Sequence, residues 1–455
     1  MNTLTNKTYT DGFFNVSSTY GFLPIEEPLD RLPSPFEELQ KLIDDLPTVL
    51  LIPNEIVKQI HIIPCYLWYI NDLWDVKIVQ ALFRAYTFIT SAYTLELSYQ
   101  TFVKTKKYGE ARKLLPENIA KPLVVISEKL NVYPWLDYHY AYSLGNYVKK
   151  DKNGSLDWEN LDMACKFIGS MDEVGFSMLH VYINELSPQL VKSVLEFSKT
   201  SDKMYLKQCG SVMEDINNRR REMWKASRPD HYNDFRVFIM GIKGNTDIFG
   251  EGVVYEGCFD NKPQQFRGQT GAQDSIIPMM DIFTGVVDFY PSNKLTEYLM
   301  DLRSYRPVCV QEFFNDLRSH YSKNPLYSFL SEKKDVEGLL DLLKIIDEIY
   351  LFRNGHWQFV QKYIMENTDY PVATGGTPIT TWLINQIESV LEFERVIIKR
   401  INEIGGNIEN KLIDDFPSKI KLLEEQTEEL NKLNYNIQLI YTKNKELKLN
   451  DNLNE

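Results

Sequence analysis

Apolar residues return every three to four positions through most of this chain, and strict alternation is scarce. Phe36, Leu39, Leu42, Ile43 and Leu46 fall on one helical face, and Pro33-Ser34-Pro35 just before them supplies a start signal. The stretches 73–106, 118–131, 158–200, 203–225, 295–303, 336–364 and 379–404 repeat the pattern. The best strand candidate, FRVFIMGIKG at 235–244, is so uniformly apolar that its period does not separate strand from helix. The expectation is an all-α fold.

With 455 residues the chain has material for two to three domains. Its 24 Phe, 27 Tyr and 7 Trp fill a large core, which excludes wholesale disorder. A net charge of −13 without a basic stripe argues against a nucleic-acid partner. The five cysteines (Cys65, Cys165, Cys209, Cys258, Cys309) are scattered and form no CxxC pair, so a reducing compartment is expected. No basic-then-apolar leader opens the chain, and no run approaches the roughly 18 apolar residues of a membrane span. These features predict a cytoplasmic protein without a membrane partner.

The charged stretch KKDKNGSL, 149–156, separates two helical patterns and sets the expected domains. Residues 1–150 form a smaller, mostly helical N-terminal domain opening on an extended arm of about 35 residues. Residues 151–410 form the larger helical domain, and 411–455 a helical tail. Seven glycines between 241 and 275 mark a long loop of the kind that carries function. In the tail, Leu423, Leu430 and Ile437 recur every seven residues, but Asn444 breaks the series. Gln426 interrupts the companion series through Leu433, Ile440 and Leu447. A solvated helix laid on the body is the preferred reading; weak self-association through it is the alternative.

Six histidines occur, at 61, 139, 180, 231, 320 and 356, and none forms HExxH or a His/Cys cluster. GxGxxG, GxxxxGK[ST] and GxSxG are also absent, so nucleotide-binding and serine-hydrolase readings have no anchor. A single helical histidine is enough to ligate haem, since the porphyrin supplies four nitrogens. Spacing alone does not choose among the six.

LFRNGHWQFVQKYI, 351–364, resembles the proximal helix of the indoleamine 2,3-dioxygenase family, in which an Arg stands three residues before the ligating His. Other blocks are similar to the family in its order. They are the opening GFLPIEEPLDRLPSPFEELQKLIDDLP, the linker run at 119–151, FRVFIMGIKGNTDIFGEGVVYEG at 235–257, FRGQTGAQDSIIPMMDIFTG at 266–285 and ATGGTPITTWL at 373–383. The resemblance spans about 21–383 and leaves the tail outside.

It implies a haem (heme b) enzyme that inserts O2 across the indole C2–C3 bond of L-tryptophan, or a related indoleamine, to give N-formylkynurenine, in tryptophan catabolism by the kynurenine pathway. It also assigns roles. His356 matches the iron ligand, with Arg353 and Asp281 bracing the haem edge. Arg236 matches a substrate-carboxylate grip, and Thr374 a contact to the substrate ammonium group. Phe176, Tyr232 and His231 match the aromatic wall, where a second Phe is usual in place of His231. Tyr138, or its neighbour His139, falls at another pocket position, and Thr270 stands where the family has Ser. His180 replaces a distal Ser and resembles the His of tryptophan 2,3-dioxygenase, which makes it a catalytic candidate. Two alternatives stay open: a divergent haem oxygenase acting on another indole, and a haem-binding sensor without catalysis.

Overall fold

The computed structural model describes residue 4 and residues 7–292, 294–323, 325–368, 370, 372–376, 379–406 and 408–451. Its principal helices are Glu37–Val49 (α1), Val76–Thr105 (α2), Glu117–Leu130 (α3), Met171–Asn184 (α4), Ser187–Thr200 (α5), Met204–Arg221 (α6) and Pro229–Arg236 (α7). They continue with Ile276–Thr284 (α8), Lys294–Arg303 (α9), Val308–Lys323 (α10), Val336–Val360 (α11), Ile379–Gly405 (α12) and Lys411–Asp451 (α13). The strands described are two or three residues long: Tyr9–Thr10 with Asn15–Val16, Tyr147–Lys149 with Leu161–Met163, and Val253–Tyr255 between Leu114–Leu115 and Pro263–Gln264. The fold is all-α.

Aspartates start two of the long core helices. Asp75 accepts from the backbone N–H of Lys77 at 2.9 Å and opens α2; Asp335 accepts from Gly338 at 3.0 Å and opens α11. Both helices are buried on most sides, which explains why their apolar residues crowd beyond one stripe. Ser170 caps α4 through the Glu173 N–H at 3.1 Å. The Glu173 carboxylate then reaches back to the N–H groups of Phe167, Ile168 and Gly169.

Three local expectations differ from the structure. Residues 158–200 are not one helical stretch. Leu161–Met163 is extended because it pairs with Tyr147–Lys149, and the Asn146 amide fixes the neighbouring Cys165 through both its N–H and its carbonyl. The strand candidate at 235–244 is the end of α7 followed by a tight turn at Val237–Ile239. There Gly241 passes so close to Gly268 that a Cβ at either would overlap the other's backbone. The helix α10 was not anticipated, although Cys309, Val310, Phe313, Phe314, Leu317 and Tyr321 are its buried face.

The N-terminal arm lies on the body, with Phe13, Phe14 and Phe22 buried and the Tyr9 hydroxyl donating to Asp316 at 3.0 Å. The tail helix α13 also docks. Lys419 Nζ lies 2.5 Å from Asp347 on α11 and 2.8 Å from Glu394 on α12, all three buried. Gln426 donates to Asn354 at 3.2 Å, and Leu430 is buried. The heptad positions Leu433, Ile437, Ile440, Asn444 and Leu447 lie outside the residues whose side chains are described. Among the described residues no helix is long and apolar enough to cross a membrane.

Candidate active site

Two helix faces meet at one cavity. From α4 come Phe176, His180, Ile183 and Asn184, and from α11 come Phe352, Arg353, His356, Phe359 and Val360. The α4 set has the i, i+4, i+7, i+8 spacing of a single face, and the α11 set has the same spacing with Arg353 at i+1 widening it. The segment 269–274, Asp281 of α8, Tyr232 of α7 and the turn at Ala373–Thr374 complete the wall. The cavity opens to solvent, and its empty space together with that opening is about 1710 Å³.

His356 faces this cavity with no hydrogen-bond partner among the described residues. Burial pulls its pKa down to about 4, and the charges of Arg220 and His180 add to the effect. The imidazole is therefore neutral at ordinary pH, the form that ligates iron. One turn earlier, Arg353 donates to Asp281 Oδ2 at 2.6 Å, to the Tyr290 hydroxyl at 2.9 Å and to the Gln386 carbonyl at 3.0 Å. Burial alone would lower the pKa of this guanidinium; the Asp281 carboxylate reverses that and raises it. Gln269 Nε2 and Asp281 Oδ1 are buried in the same wall without partners among the described residues. A neutral imidazole, an apolar slot, and a buried guanidinium and amide donor for acidic substituents together fit a haem.

On the α4 side, His180 Nδ1 lies 2.9 Å from the carbonyl oxygen of Phe176. That contact requires the proton on Nδ1 and leaves Nε2 as an acceptor. The ring is held edge-on by Tyr138 and Phe176, with centroids 5.6 and 5.4 Å away. Burial keeps its pKa below the usual histidine value.

The structure brings Phe176, His180, Tyr232, Thr270, Asp281, Arg353, His356 and Thr374 to the cavity wall. It does not bring Tyr138, His231 or Arg236 there. Tyr138 stands behind His180, its hydroxyl donating to Asp274 at 2.7 Å; His139 turns instead toward Ser275, 3.3 Å away. His231 points outward, its side chain 44% exposed and 3.1 Å from Asp234, because a neighbour of Tyr232 is turned by about 100° around α7. The Arg236 guanidinium is fully buried and donates to the Val372 carbonyl at 2.7 Å and the Tyr108 hydroxyl at 3.2 Å, while its Nε has no partner among the described residues. Arg236 therefore holds the turn that presents Thr374.

That turn is tied down elsewhere too. The Thr374 carbonyl accepts from Gly241 N–H at 2.8 Å, and the Gly375 carbonyl from Arg267 at 3.2 Å. Thr377, which ends the TGGT motif, lies outside the described residues. The Thr270 hydroxyl accepts from Ala272 N–H at 3.4 Å. Gln269, Asn184, Asp274 and Arg220 are wall residues that the sequence reading passed over. For Arg220 a signal was present: it continues the buried spacing of Met213 and Ile216 on α6.

The family model for "Indoleamine 2,3-dioxygenase" matches residues 11–378. The chain is 28% identical over 282 residues to "Indoleamine 2,3-dioxygenase 1" of Mus musculus, covering 60% of this chain and 68% of that protein. It is 25% identical over 404 residues to "Indoleamine 2,3-dioxygenase 2" of Mus musculus, covering 84% and 94%. It is also 26% identical over 366 residues to a "Myoglobin" of Haliotis madaka, covering 77% and 88%. The described wall lies within the matched span apart from Gln386; α12 and α13 lie beyond it.

Proposed function

The chain belongs to the indoleamine 2,3-dioxygenase family of haem-dependent dioxygenases, and from that premise we propose that it inserts both atoms of O2 across the indole C2–C3 bond of L-tryptophan, giving N-formylkynurenine. The observation that carries this reading is the neutral His356 in the wall of a largely apolar cavity whose other side presents His180 and Phe176. Haem, when bound, supplies the iron at which O2 is activated.

His356 would hold the iron, with Arg353, braced by Asp281, serving the haem edge. Phe176 and Tyr232 form the apolar wall against which an indole ring lies. His180 Nε2 accepts the indole N–H and orients the ring, while Tyr138 buttresses the imidazole from behind. Thr374 meets the ammonium group and closes the cavity against water. Arg236 takes the substrate carboxylate in exchange for the Val372 carbonyl; its buried charge has only neutral partners among the described residues. The five cysteines are all free, which supports work in the cytoplasm.

Incubating reduced, haem-loaded protein with L-tryptophan and O2, and identifying the product by mass, tests this reading. A haem spectrum with a different oxidised indole as product would favour action on another substrate. The relative named Myoglobin favours a second reading, haem binding without turnover, and a haem spectrum without product would support it.

A further inference from the structure

Two guanidinium groups flank His356, and among the described residues only one has a counter-ion. At about 100° per residue, Arg353 lies to one side of His356 around α11, and residues 352, 355 and 359 lie to the other. Arg220 of α6 occupies that second side. Its guanidinium is 5.6 Å from the Phe352 ring centroid and 5.3 Å from that of Phe359. It packs so closely on Gly355 that a Cβ there would overlap it.

The residue is 7% exposed and lines the cavity. Its hydrogen bonds go to neutral acceptors, Asn217 Oδ1 at 3.2 Å and the Leu351 carbonyl at 3.3 Å. Among the described residues no carboxylate pairs with it. The carboxylate reached through Asn217 is Glu348, which is already paired with Lys344 at 2.6 Å. Burial lowers the Arg220 pKa to about 10, which still leaves it charged at neutral pH. On the opposite flank, Asp281 neutralises Arg353 at 2.6 Å.

We propose that Arg220 is a charge-tuning residue: its uncompensated guanidinium, pressed against α11 beside the iron-ligating histidine, favours ferrous over ferric haem. Ferric haem carries one more positive charge than ferrous haem. A fixed cation nearby in a poorly polarisable interior therefore opposes the oxidised state more strongly. The ferrous form is the one that binds O2, so this charge keeps the site in its working redox state. The inference rests on the reading that places haem on His356.

The test is the midpoint potential of the haem-loaded protein, measured by spectroelectrochemistry, in wild type, Arg220→Lys, Arg220→Met and Arg220→Gln. Arg220→Met should shift the ferric/ferrous equilibrium about tenfold toward ferric, a fall of about 59 mV for one electron. Arg220→Lys should stay near wild type. Arg220→Gln keeps a planar polar group beside the Phe352 and Phe359 rings and removes the charge. It should move the potential in the same direction as Arg220→Met and serves if the methionine variant does not fold. A normal haem band with an unchanged potential in both neutralising variants overturns the proposal alone, as does an equal fall in Arg220→Lys. A haem band that persists unaltered in His356→Ala overturns the placement of haem as well.

Discussion

Arg353 Nη2 lies 2.6 Å from Asp281 Oδ2, joining the helix that carries His356 to the helix that follows the glycine-rich loop. Both side chains are buried, and a second nitrogen of the same guanidinium reaches the Gln386 carbonyl. Removing one partner of a buried pair leaves an uncompensated charge, at a cost of roughly 3–5 kcal/mol. Asp281→Ala should therefore lower the unfolding midpoint markedly and weaken haem retention. Arg353→Lys should not substitute, since an ammonium lacks the planar fork that serves several acceptors. Thermal melts and haem-transfer rates check both; a silent Asp281→Ala would contradict the bracing role.

Arg236 discriminates substrates if it meets the carboxylate. A charged bidentate contact is worth roughly 1.5–3 kcal/mol, so Arg236→Ala should lower kcat/KM for L-tryptophan by about ten- to a hundredfold. Tryptamine, which has no carboxylate, should lose much less. Equal losses would leave Arg236 as a tether of the Thr374 turn, through its bond to the Val372 carbonyl.

His180 presents an acceptor nitrogen to the cavity, so 1-methyl-tryptophan, which has no indole N–H, should be a poor substrate. His180→Ser should recover part of that activity. It should also lower kcat/KM for tryptophan by roughly three- to tenfold, the worth of one neutral hydrogen bond. Identical discrimination between the two substrates in both proteins would show that His180 does not read the indole nitrogen.

The helices α2 and α11 were legible in the sequence because their apolar spacing runs long, over 73–106 and 336–364. The extended segment at 161–163 was not, since its backbone partners lie twelve or more residues away, at Tyr147–Lys149. The site divides in the same way. Phe176 and His180, and Arg353 and His356, sit one turn apart on single helices, and all four reach the wall. Membership of the wall from α7 depends on how that short helix is rotated, which no local pattern reveals. Tyr232 faces in, His231 faces out and Arg236 turns to the Val372 carbonyl.

Acidification should act through His356. Its pKa is about 4 in the fold, against an ordinary value of 6.5. Between those values the unfolded chain binds more protons, so stability is lost as pH falls through that window. Haem-free protein should thus lose thermal stability from pH 6.5 toward 4 more steeply than a His356→Gln variant. Parallel curves would show that His356 is not held neutral by its surroundings.

His356→Ala should abolish the normal Soret band, whereas replacing His61, His139 or His320 should leave it. The most direct measurement combines that variant with product analysis. Reduced, haem-loaded protein is given L-tryptophan under isotopically labelled O2, and the product is weighed by mass spectrometry. The account predicts N-formylkynurenine carrying both labelled oxygen atoms from wild type and none from His356→Ala. A normal haem band with no formylkynurenine, or a product carrying a single labelled oxygen, would contradict it.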